Sequence, residues 1–183
     1  MNTEDVEHRR RPIRLKTYDY SSAGAYFVTI CADNRRMQLD VPEYRAIIEQ
    51  AWNDLPNHYS HVRLDAFVVM PNHVHGIIWL TSDDPVRAGL RPAPTPAPTP
   101  APTPAETAQR HALSEIVRAF KSFSARRINE KRQTPGVPLW QRNYYEHVIR
   151  NEDDLQDIRA YIANNPAQWA LDKENPEHRN DQR

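Results

Sequence analysis

The 183-residue chain is 39% hydrophobic and carries 24 acidic and 24 basic side chains, enough for one compact domain of about 150 residues with additions and no need of a second. Cys31 is the only cysteine, which excludes an internal disulfide and suits a reducing compartment such as the cytoplasm. No apolar run approaches the ~20 residues of a membrane helix, and Met1 to Arg14 is too charged for a signal peptide.

The zero net charge conceals a segregation along the chain. Arg9, Arg10, Arg11, Arg14 and Lys16 crowd a basic arm over residues 1–20, a candidate polyanion contact. Residues 25–32, Ala-Tyr-Phe-Val-Thr-Ile-Cys-Ala, are rich in β-branched and aromatic side chains and predict a buried strand. Pro42 opens a helix, with Tyr44, Ile47, Ile48, Ala51 and Leu55 at helical spacing, and Pro56-Asn57 is expected to end it.

A hairpin follows: Val62 to Met70, a Pro71-Asn72 turn, then His73 to Leu80. Side chains alternate along a strand, so His73 and His75 project from one side at the strand's beginning, beside a turn that a substrate can approach. An isolated histidine among apolar residues is usually a packed structural group, whereas two convergent neutral nitrogens can hold a metal ion.

Residues 92–104 repeat Pro-Ala-Pro-Thr three times. Alternating proline removes backbone donors and fixes φ, so the segment reads as a linker within an insert at residues 82–108, spanning about 40 Å at roughly 3.1 Å per residue if extended. Leu113, Ile116, Val117, Phe120, Phe123 and Ile128 then form the apolar stripe of a long helix, with Arg118, Lys121, Arg126, Arg127 and Lys131 as a second basic cluster. The second half of Leu139 to Arg150 alternates as a strand, and Arg142 adds a further cation.

Asn151 is the expected N-cap of the last helix. Glu152, Asp153 and Asp154 complement its dipole, and Leu155, Ile158 and Ile162 mark its buried face up to Pro166. The order strand, helix, strand, strand, helix, strand is that of a ferredoxin-like α+β sandwich, a split βαβ unit with an antiparallel sheet, here with an added C-terminal helix. The single domain then runs over residues 21–171 and leaves a polar tail at 172–183.

On that helix Asp157, Tyr161 and Asn165 form one i, i+4, i+8 row that can face the two histidines. Tyr161 can supply an oxygen nucleophile or simply pack, and Asn165 can supply a carbonyl ligand or cap the helix before Pro166. Asp157 can assist deprotonation or stand as a solvated carboxylate. Tyr144 and Tyr145 can stack on bases or pack, and packing is expected of at least one because adjacent strand residues face opposite ways.

Three stretches carry a resemblance to a known family: Phe67 to Gly76, Trp140 to Arg150, and Tyr161-Ile162-Ala163-Asn164-Asn165-Pro166. Together with the opening segment from Arg14 to Ile30 they resemble the single-tyrosine HUH transposases, in particular the REP-associated tyrosine transposases. The resemblance implies a bacterial, DNA-associated enzyme, monomeric or homodimeric and without membrane attachment. Such an enzyme cleaves and rejoins single-stranded DNA beside hairpins such as REP-like palindromes, through a 5′-phosphotyrosine link. It makes Tyr161 the nucleophile and His73, His75 and Asn165 the ligands of Mg²⁺ or Mn²⁺, with Asn165 standing where insertion-sequence relatives commonly place Gln. A noncatalytic hairpin-binding descendant, a rolling-circle replication initiator and a small His-x-His metal hydrolase are the alternatives.

Overall fold

The computed structural model describes residues 19–81, 111–171 and 175. Four strands, β1 (Gly24–Cys31), β2 (Val62–Val69), β3 (His73–Leu80) and β4 (Tyr145–Ile149), form one sheet in the order β2-β3-β1-β4, with every neighbouring pair antiparallel. The helices are α1 (Pro42–Asn53), α2 (Leu55–His58), α3 (Leu113–Lys131) and α4 (Glu152–Gln168). This is the ferredoxin-like order with an added helix, and it places β3 in the sheet's interior. The basic arm, the proline-rich insert and nearly all of the polar tail lie outside the described residues.

The period of two along the strands sorts the side chains into two cores. From β1, Tyr26, Val28 and Ile30, and from β3, Val74, Ile78 and Leu80, face α1 and α3 and pack with Ile48, Trp52, Leu113, Ile116 and Phe120. Each such fully buried side chain contributes about 1.5–3 kcal/mol relative to exposure. Gly76 belongs to this face, and its missing side chain leaves the space that the Trp52 ring occupies. On the opposite face Ala25, Phe27 and Ile77 meet Leu155 and Ile162 of α4 in a smaller core. His73 and His75 share that second face, so α4 is laid directly over their side of the sheet.

Two helix ends depart from the sequence-based expectation. The first helix stops at Asn53 rather than at Pro56, and Pro56 sits in the first turn of α2, where its missing N–H costs no hydrogen bond. The last helix continues through Pro166 to Gln168, so Asn165 lies inside α4 and is not its cap. Proline removes one backbone bond, yet the chain beyond it is held by contacts of its own: Trp169 packs its ring 5.9 Å from that of His73, and the Asn175 side-chain amide donates to the Trp169 carbonyl at 3.1 Å.

β2 carries a bulge. Leu64 pairs with Ile78 and Phe67 with Gly76, so Asp65 and Ala66 together stand opposite Ile77.

Candidate active site

Asn72 ends the hairpin turn, and its side-chain carbonyl lies 2.7 Å from His73 Nδ1. A carbonyl only accepts, so Nδ1 carries the proton and the lone pair of His73 sits on Nε2. His75 is oriented in the same manner from the neighbouring strand: Thr29, its register partner on β1, places Oγ1 2.8 Å from His75 Nδ1. The two Nε2 atoms then meet at 2.9 Å. That spacing is close to the ~3.0 Å between two nitrogens at right angles on an octahedral ion with bonds of about 2.1 Å.

Tyr161 reaches the pair from α4. Its hydroxyl is 3.4 Å from His75 Nε2, and its ring stands edge-on to both His75 and Phe27, with centroids 5.2 and 6.1 Å away. The histidines are buried while Tyr161 is 43% exposed, so the hydroxyl lies between an internal donor pair and solvent. One turn further on, Asn165 is buried and its Oδ1 has no hydrogen-bond partner among the described residues. An unsatisfied buried carbonyl oxygen one helical turn from Tyr161, together with the two imidazole nitrogens, has the chemistry of a donor set that fits a small divalent cation. Among the described residues no cluster of three or more His, Cys, Asp or Glu side chains is placed to hold a metal, so any ion here depends on these neutral donors. Asp157, one turn before Tyr161, is exposed.

The basic residues do not form one surface. A cleft of about 990 Å³ runs between α3 and the segment up to Tyr144, with Val117, Leu139 and Trp140 in its lining and Arg118, Arg126 and Arg142 along it. Arg127 and Lys131 instead turn toward α1, where they pair with Asp54 at 3.8 Å and Glu43 at 3.1 Å. Lys121 differs from the phosphate contact expected from sequence. Its Nζ donates to the carbonyls of Gln141 and Arg142 at 2.6 and 2.9 Å, tying the loop before β4 to α3, and burial lowers its pKa below the usual lysine value. Tyr144 packs partly against the larger core, whereas Tyr145 is exposed.

Thr29, Asn72 and Trp169 are the site residues that sequence reasoning missed. The register of β1 against β3 is the signal that finds Thr29. Among the described residues no helix is long and apolar enough to cross a membrane.

Known proteins share both sequence and fold with this chain. Residues 105–165 match the model of the family described as "Transposase IS200 like". An uncharacterized protein of Haemophilus influenzae is 36% identical over 91% of this chain and 93% of its own length. A second protein of that organism, bearing the provisional name REP-associated tyrosine transposase, is 27% identical over 81% of this chain and 73% of its length. A solved REP-associated tyrosine transposase bound to a REP hairpin superposes with a TM-score of 0.58 at 22% identity, covering 87% of this chain and 76% of that one, and so shares the fold. The chain thus matches the IS200-like transposases over that segment and is similar in sequence and fold to REP-associated tyrosine transposases.

Proposed function

We propose that the protein is a metal-dependent single-stranded DNA endonuclease and strand transferase acting next to DNA hairpins, with Tyr161 as nucleophile. The observation that carries this reading is the Tyr161 hydroxyl 3.4 Å from His75 Nε2, itself 2.9 Å from His73 Nε2. A structural relative is bound to a REP hairpin, which supports hairpin DNA as partner.

His73, His75 and Asn165 Oδ1 would hold a divalent ion, Mg²⁺ or Mn²⁺, and such an ion would supply positive charge to offset that of the scissile phosphate. Tyr161 Oη attacks the phosphorus, the bond to the departing 3′ oxygen breaks, and that oxygen leaves as a 3′-hydroxyl once protonated. The 5′-phosphate stays on Tyr161. A tyrosine with pKa near 10 is ionised about one part in a thousand at pH 7, a handicap of roughly 4 kcal/mol if ionisation must precede attack. Exposed Asp157 stands one turn away to accept the phenolic proton. Since phenolate is a better leaving group than an alkoxide, a DNA 3′-hydroxyl can reverse the step without ATP, and cleavage and rejoining become one reaction.

Labelled hairpin DNA with a single-stranded flank, incubated with Mn²⁺ and resolved on a denaturing protein gel, tests the reading. A covalent band is expected from the native protein and from Tyr144→Phe and Tyr145→Phe. It should vanish with Tyr161→Phe, with His73→Ala or His75→Ala, and with EDTA, while the variants stay folded. An adduct that maps to Tyr144 or Tyr145, or no adduct from the native protein, would overturn it.

A further inference from the structure

Asp65 sits in the β2 bulge, opposite Ile77, and its carboxylate is fully engaged. Oδ1 accepts from the Ala66 N–H at 2.7 Å and from Arg159 Nε at 3.0 Å, while Oδ2 accepts from Arg159 Nη2 at 2.6 Å and from the Trp79 indole at 3.2 Å. The pair is a two-pronged fork, the strongest geometry available to an arginine and a carboxylate. It joins β2 to α4, the helix that carries Tyr161.

The positions around α4 give this fork a particular effect. Ile158 and Ile162 lie in the buried stripe. Arg159 stands roughly 100° from Ile158 on one border of that stripe, and Tyr161 roughly 100° from Ile162 on the other. Apolar packing is non-directional and resists rotation of a helix about its own axis only weakly. With side chains extending about 5–6 Å from the axis, a roll of about 20° moves a group on the border by ~2 Å. Misplacement by ~1 Å can cost about 100-fold in rate.

We propose that Asp65 and Arg159 are positioning residues: their fork fixes the roll of α4 on the sheet and thereby holds the Tyr161 hydroxyl against His75 of the same chain. This deepens the reading of Tyr161 as nucleophile and rests on it. Arg159 touches neither the histidines nor, on this account, the DNA; it acts through the helix. At the bulge Asp65 and Ala66 both lie on the α4 side of the sheet, between Leu64 and Phe67 that face the larger core.

The test compares native protein, Arg159→Lys, Asp65→Asn and the double variant. Lysine keeps the charge but cannot make two parallel bonds. Adduct formation under saturating hairpin DNA should fall about 10- to 100-fold in each single variant and no further in the double, with hairpin affinity within about twofold and the protein folded. A readout independent of activity follows Tyr161 itself. In protein labelled with 3-fluorotyrosine, the ¹⁹F resonance absent from Tyr161→Phe should be single in the native chain and shifted or broadened in Arg159→Lys. If the native protein forms no adduct, the nuclease reading fails, and the resonance still decides the clamp. An unchanged Tyr161 resonance, or a rate loss matched by an equal loss of folded protein, overturns the proposal.

Discussion

Thr29 and His75 face each other across β1 and β3, and the threonine hydroxyl lies 2.8 Å from the imidazole Nδ1. The contact holds Nε2 toward His73 and Tyr161. Thr29→Val keeps the shape and removes the partner, and outer partners of this kind are worth about 10–100-fold in metal affinity or activity. The Mn²⁺ dependence of adduct formation should shift by that factor with folding unchanged; an unshifted curve would show that another group orients the ring.

Gly76 presents its bare Cα to the larger core. A Cβ there would fall 2.5 Å from Trp52 ring atoms and 3.0 Å from the Phe67 ring, and Trp52 is itself stacked on Phe67 with centroids 4.3 Å apart. Gly76→Ala should therefore destabilise by about 1–3 kcal/mol in urea unfolding. Because the histidines occupy the other face, adduct formation per folded molecule should hold.

The cleft along α3 separates two kinds of arginine. Replacing Arg118, Arg126 or Arg142 by Gln should weaken hairpin DNA binding and lower the salt dependence by about 0.7–0.9 for each phosphate no longer neutralised. Arg127→Gln and Lys131→Gln, whose partners are on or beside α1, should change that slope little. Equal slopes across both sets would remove the cleft from the DNA path.

Asp65 is held below its ordinary value of 3.8, chiefly by the hydrogen bonds from Arg159. Its folded pKa is depressed, so its stabilising contribution is complete above the ordinary value and is lost as pH falls toward the folded one. The stability difference between the native protein and Asp65→Asn should stay level from pH 7 to about 4 and shrink below that. Urea melts across this range measure it, and a difference that stays constant to pH 2 would leave the carboxylate's charge without a role.

The described residues on either side of the proline-rich insert, Thr81 and His111, both meet His61. The Thr81 N–H donates to the His61 carbonyl at 2.7 Å, and the His61 ring is 3.1 Å from the His111 carbonyl. Shortening residues 93–104 should change stability by less than about 1 kcal/mol, since doubling a loop costs only ~0.6 kcal/mol. Thermal unfolding of the shortened chain checks this.

What could be read from sequence was what neighbours in the chain determine. Alternation gave the faces of β3, and Asn151 was expected as the cap it proves to be, its side chain accepting from the Asp154 N–H at 2.8 Å. The i+4 spacing brought Tyr161 and Asn165 to one row. Contacts between distant residues were hidden: the Asp65–Arg159 fork joins positions 94 apart, and Lys121 reads as a free surface cation until the loop at Gln141 closes over it. Pro166 misled because proline's local penalty is felt at once, whereas the contacts of Trp169 beyond it depend on the fold.

The placement of Trp52 above Gly76 has a consequence for how the sheet assembles. Were β3 to slide by a single residue against its neighbours, every side chain would change sides. The two imidazoles would enter the apolar interior, and either His75 or Ile77 would bring a Cβ to the place where the indole now lies. That register leaves the indole without its place over a glycine. One tryptophan over one glycine thus ties the register of the sheet to the side on which the histidine pair stands.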